Sequence, residues 1–289
     1  MQAGLPRATL LATLGVRALR TFTTLGALAT LGCNTGDTLY IGVHSPPISD
    51  DAACNKPPSV PPTELKLDAF YRKYIDARGI PVLASESVDD RALQKACAMV
   101  THMQPRDPRI WDAMIARKLR VSILARAEPL TRIPEYADLY VFFPDRDWDS
   151  MRGVGATSER PVSSVGEENL LCDANDRFAG EFILASSFSH GLRALGISPV
   201  DPTFPQRLSD AFDDARRAGL WDGTFAGSNP AQYFAEGVQD WFDANAEATP
   251  ADGLHNSINT RSELKSYDPT LAALIAEHLP DDTWRPSCP

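Results

Sequence analysis

The sequence has few long hydrophobic runs: beyond residue 32 no segment approaches the roughly 20 apolar residues of a spanning helix, so nothing later is read as a membrane span. It also lacks a cysteine rhythm. Cys33, Cys54, Cys97, Cys172 and Cys288 stand far apart with no CxxC or CxxH spacing, which argues against a cysteine-ligated zinc site. Positive charge is in short supply, with 28 Lys and Arg against 38 Asp and Glu and a net charge of −10. Such a surface repels nucleic acid and anionic lipid. What the chain does have is length and apolar content, 289 residues at 43% hydrophobic, enough for one sizeable core.

Acidic residues are missing altogether from residues 1–32, which carry Arg7, Arg17 and Arg20 and end in an apolar run. A basic segment followed by about a dozen apolar residues is the pattern of a secretory signal peptide. Two exits are readable: Ala27-Leu28-Ala29 as an A-x-A-like cleavage site, or Leu31-Gly32-Cys33 as an imperfect bacterial lipobox with Cys33 lipidated. Loss of residues 1–32 leaves 25 basic against 38 acidic residues, a net −13. Export agrees with the cysteines: with Cys33 as the anchor four remain, an even number that allows two disulfides in three pairings.

Residues 33–62 contain His44 and a scatter of prolines among small polar residues, and read as a Pro-rich tether. The folded domain is expected over 63–289. Leu67, Phe70, Tyr71, Tyr74 and Ile75 fit a helix ending at Gly79, and residues 80–84 a strand. Helices are expected after Ser87 or Asp89 and after Asp107, with His102 as a surface or capping residue, and residues 119–124 alternate as a strand. Residues 128–171 look irregular apart from a possible strand at 140–143. Asp145, Asp147 and Asp149 lack the glycine and glutamate of an EF-hand, and Gly153-Val154-Gly155 lacks the strand and helix of a phosphate cradle.

A helix from about 176 to 195 is expected next, capped by Gly196. It contains Ser186-Ser187-Phe188-Ser189-His190, and positions 186 and 190 lie one above the other on a helix face. A helix over 204–218 follows. Another begins at Asn229-Pro230, where Gln232 suggests a capping box, and carries Tyr233-Phe234-Ala235-Glu236. Glu236 sits among apolar neighbours, so its carboxylate needs a partner. Residues 255–261 form a polar loop, either a self-bonded turn or a segment near the cleft, and Asp268-Pro269 opens a last helix with His278 near its end.

The two motif helices resemble the gluzincin-type zinc metallopeptidase family, in the form of the catalytic domain of anthrax toxin lethal factor. The resemblance covers about residues 176–245 and implies an α+β, zincin-like metallopeptidase fold, mainly helical around a small sheet. By position it implies that His190 and Glu236 stand at metal-ligand positions, Ser186 at that of the missing first histidine, and Ser187 at that of the general base. A catalytic zinc needs three protein ligands, and a serine hydroxyl is a poor one. Without a base at 187 the water-activating step loses a factor of about 10² to 10⁴.

The expectation is therefore an exported metallopeptidase-like protein with zinc weakly held or absent. It would be inactive as a standard protease and would bind a peptide or protein in the old cleft, with Tyr233 and His255 as binding residues. Contact with a membrane would come only through the N-terminal lipid. The alternatives are an active zinc hydrolase with a third ligand from elsewhere, such as His255, and a structural surface lipoprotein. A serine hydrolase is disfavoured, because no acid is placed to orient His190 and no nucleophile-elbow glycines flank Ser187.

Overall fold

The computed structural model describes residues 51–289. The expected signal peptide, Cys33 and most of the tether, including His44, lie outside those residues. The architecture is α+β, helices around one sheet of four strands: β1 (Lys73–Ala77), β2 (Ile80–Ala84), β3 (Arg120–Leu124) and β4 (Val162–Gly166). They lie in the order β1-β2-β3-β4, with β1 antiparallel to β2 and the other two pairs parallel.

β1 replaces the helix expected before Gly79. Its buried residues, Ile75 and Ala77, flank exposed Asp76, so the effective period is two. Ala77 pairs with Ile80, which leaves Arg78 and Gly79 as a two-residue turn with φ of 53° and 94°. Positive φ at both positions is the type I′ pattern that matches the twist of a hairpin, and it explains the glycine without a helix cap.

The parallel step from β2 to β3 is made by α1 (Asp90–His102) and α2 (Pro108–Ala116). Asp89 and Asp107 cap them, each accepting the amide two residues on, as expected. Between β3 and β4, residues 140–143 are not a strand: α3 (Leu139–Phe142) is a single helical turn over a small cluster of Leu124, Leu130, Ile133, Tyr136, Trp148 and Val162. β4 itself was hidden in the apparently irregular stretch. Its Ser163 is fully buried and donates to the Ser187 carbonyl at 2.8 Å, so polar residues here face inward and no apolar alternation marks the strand.

After β4 come the turn α4 (Glu167–Leu170), then α5 (Ile183–Gly191), α6 (Ser198–Val200), α7 (Phe204–Arg217), α8 (Pro230–Trp241), α9 (Arg261–Tyr267) and α10 (Pro269–Ala276). The motif helix is thus shorter at its start than expected, and Gly196 does not end it. Gly196 lies in a π-helical stretch, Leu192–Ile197, against Ile110 and Met114 of α2. Leu184, Phe188, Phe234 and Val238 of α5 and α8 are fully buried in the main core.

Two disulfides close the domain, Cys54–Cys97 and Cys172–Cys288, over 43 and 116 residues. Loops of that length correspond to about 4 to 5 kcal/mol each in a chain-entropy account. The folded part begins before Thr63, where the tether was expected to end: Cys54 is fully buried, and Ser59 makes a backbone bridge to Tyr74. At the other end Lys95 donates to the Ser287 carbonyl beside Cys288. Among the described residues no helix is long and apolar enough to cross a membrane.

Candidate functional site

α5 and α8 pack side by side and form the floor of an open cavity of about 350 Å³. Ser186, Ser187 and His190 come from α5; Gln232, Glu236 and Gln239 come from α8 at helical spacing, so they share one face. Asn229 fixes the start of α8 by accepting the amides of Ala231 and Gln232. Gln232 does not complete a capping box. Its Oε1 lies 3.2 Å from His190 Nε2 instead.

Two further pieces close the cavity. The loop before α9 brings in His255, and Glu181 enters from the position immediately before Phe182, the N-cap of α5. The opposite wall is the segment Gly153-Val154-Gly155, not a phosphate cradle but an extended stretch bonded to β4: the Ser164 amide donates to the Val154 carbonyl at 2.9 Å. A Cβ on Gly155 would collide with the His190 ring, so glycine lets the wall meet the histidine.

The electrostatics of the floor are set by burial. Glu236 is 6% exposed, and its carboxyl is pushed up to about 7, first by loss of water and then by the charge of Glu181. The charge of His255 opposes this, and after it two weak bonds: Ser186 Oγ donates to Oε1 at 3.3 Å and Asn245 Nδ2 to Oε2 at 3.5 Å. His190 is pushed down to about 4, by burial and then by the charge of Arg193, against the pull of Gln232. His255 is shifted the other way, raised by Glu181, whose Oε2 lies 3.6 Å from its Nε2. One turn beyond Glu236, fully buried Asp240 is raised well above the usual carboxylate range by burial, although Asn245 donates to it at 2.9 Å.

The donor set does not fit a catalytic zinc. Such a site takes three protein ligands, and among the described residues no three His, Cys, Asp or Glu groups are placed to hold one metal ion. In the neutral ring, the acceptor Gln232 Oε1 calls for the proton on Nε2, which occupies the lone pair a metal would use. The Ser186 hydroxyl is already a donor to Glu236. Ser187 is buried, and its hydroxyl turns back to the Leu184 carbonyl at 3.5 Å rather than toward His190, so neither a general base nor a serine–histidine pair is formed.

Five of the residues singled out from the sequence meet around this cavity: Ser186, Ser187, His190, Glu236 and His255. The expectation for His255 resolves into both of its alternatives, because Asp252 accepts the His255 amide in a local turn while the ring faces Glu181. Tyr233 is a correction. It is fully buried, its hydroxyl donates to Asp268 at 2.6 Å, and its ring packs against Phe212 and Trp221, so it is a core residue. Position 233 points away from the cavity because the cavity-facing residues of α8 are 232, 236 and 239. His102 stacks on Trp284, away from the cavity.

Sequence reasoning passed over Glu181, Gln232 as a side-chain partner, and Gln239. Gln232 and Gln239 were legible in principle, since they flank Glu236 at four and three residues. Glu181 carries no local signal, because its role depends on Gln239, 58 positions away.

No family model and no curated protein matches the sequence. Among solved structures, the Pro-Pro endopeptidase PPEP-2 of Paenibacillus alvei is similar over 68% of this chain and 96% of its own, at 18% identity and a TM-score of 0.45. A likeness at that level carries no argument for fold or chemistry, which rest on the residues above.

Proposed function

We propose that this is an exported, metallopeptidase-like protein that has lost standard zinc chemistry and uses the remaining cleft to bind a peptide. One observation carries the reading: the positions that match a zinc site converge on one cavity floor, but their polar atoms are turned to protein partners. Ser186 donates to Glu236, and His190 Nε2 is engaged by Gln232. The cavity stays open beside them, and a groove that holds a peptide by shape and hydrogen bonds does not need a metal. Export is supported by the leader-like residues 1–32 and by the two disulfides, which persist in oxidising compartments.

The hydrolase alternative needs a third ligand beside His190 and Glu236. His255 lines the same cavity, but its Nε2 is directed at Glu181, and no metal-holding group of three results. A mixed peptide library incubated with the purified protein tests the reading. Retention of a subset of peptides, uncleaved, is expected. Chelator-sensitive cleavage of the library would overturn the proposal, and so would failure to retain any peptide.

A further inference from the structure

The cavity has more hydrogen-bond acceptors than donors. Glu236 receives only the two long bonds from Ser186 and Asn245, at 3.3 and 3.5 Å. Glu181 accepts from Gln239 Nε2 at 2.8 Å and faces His255. Gln239, 1% exposed and lining the same cavity, has no partner for its Oε1. Its amide cannot be turned to repair this, because Nε2 also donates to the Ala244 carbonyl at 3.1 Å; a flip would set an acceptor against two acceptors. A buried acceptor without a donor is costly and marks a place where a partner belongs.

One basic group is already present: His255, raised by Glu181, lies 3.6 Å from its Oε2 and acts on Glu236 by its charge, but Gln239 Oε1 stays without a partner and the arginines of the cavity do not supply one. Arg152 lines the cavity but is committed to Glu168 and to the carbonyls of Glu128 and Ala125. Arg177 is bonded to the Ser150 carbonyl and lies over the Phe178 ring, and Arg146 lies over Trp148. The missing component is therefore a group with several donors and a positive charge. A metal ion is the wrong cation, since no three ligand groups converge. The walls add Ile183, Val154 and Leu254, apolar surface suited to the methylene stem of a long side chain.

We infer that the cavity recognises a basic side chain, lysine or arginine, of a bound peptide, with its cation between Glu181 and Glu236 and within reach of Gln239 Oε1. This rests on the peptide-binding reading and names the ligand class within it. An ammonium or a guanidinium brings three or five donors to a site made of carboxylate and amide oxygens. A neutral side chain of the same length leaves those oxygens unpaired.

Calorimetric titration of the full chain with blocked tripeptides tests the inference, using Ala-Lys-Ala, Ala-Arg-Ala and Ala-norleucine-Ala. The lysine or the arginine peptide is expected to bind at least about 10-fold more tightly than the norleucine peptide, as loss of a charge-assisted bond implies. Glu181→Gln and Glu236→Gln should each remove most of that preference, read as the ratio of the affinities for the basic and the norleucine peptides. Equal affinity for all three peptides would overturn the cation while leaving peptide binding standing. Failure of these peptides and of the mixed library alike would instead remove the peptide-binding reading itself, and the inference with it. Should either variant fail to fold, the comparison of the three peptides on the unaltered protein still decides.

Discussion

His190 and Glu236 stand on neighbouring helices around one cavity, and burial acts on them in opposite senses. The imidazole is driven down to about 4 and the carboxyl up to about 7, so each is pressed toward its neutral form. The difference between them lies in their partners: the histidine has an amide oxygen at 3.2 Å, whereas the carboxyl has two long bonds and lies between an acidic neighbour, Glu181, and the charge of His255. A floor built this way favours neutrality when empty and has room for positive charge only on the carboxylate side. That asymmetry is what separates a peptide-binding reading from a metal-binding one.

The largest effects come from exchanging the two titrating groups. An unfolded glutamate titrates near 4.3, and Glu236 near 7 when folded. The folded state therefore holds the extra proton, and stability falls as pH rises from about 4.5 to 7. His190 has the opposite sign: the unfolded ring titrates near 6.5 and binds the extra proton, so stability falls as pH drops from 6.5 toward 4. Between about 4.5 and 6.5 the two slopes oppose one another, so their joint contribution is nearly level.

Glu236→Gln is expected to unmask the histidine slope and to stabilise the protein at pH 8 by up to about 3 kcal/mol relative to its effect at pH 4. His190→Gln should unmask the carboxylate slope instead. Denaturant midpoints across pH 4 to 8 read both, and parallel profiles for the two variants would break the comparison.

Gly155→Ala comes next in size. The new methyl group would overlap the His190 ring and force the wall from the helix, at about 1 to 3 kcal/mol. Thermal unfolding measures the cost, and an unchanged midpoint would mean that the wall does not rest on the histidine. The smallest effect is expected for Ser186→Ala, which removes one weak donor from Glu236 and should raise its pKa further, costing about 1 kcal/mol above pH 7 and little below pH 4.5. A loss of equal size at both ends of the range would show that the hydroxyl serves the helix rather than the carboxyl.

The sequence made this asymmetry half visible. Helical spacing put 186 and 190 on one face and Asn229-Pro230 marked the start of the helix of Glu236, which are local signals; that Glu236 meets the other two was implied only by the resemblance to zinc metallopeptidases. The acidic half was not visible: Glu181 precedes its helix in a loop and meets Gln239 only through tertiary packing. Tyr233 misled because Gln232 and Glu236 on either side face the cavity while it turns into the core toward Asp268. β1 was mistaken for a helix since Phe70, Tyr71, Tyr74 and Ile75 satisfy either period, and the two positive φ values at Arg78 and Gly79 decide for a hairpin. β4 was missed because its serines are satisfied inside the protein, by contacts that no window of sequence contains.

The central claim is that Ser186 and Ser187 leave the His190 and Glu236 positions without a zinc site. Calorimetric titration of zinc into metal-free protein, with and without the paired substitutions Ser186→His and Ser187→Glu, addresses it most directly. No saturable binding in the unaltered chain and one equivalent in the double variant is the predicted result. One equivalent of tightly bound zinc in the unaltered chain, lost in His190→Ala, would contradict it.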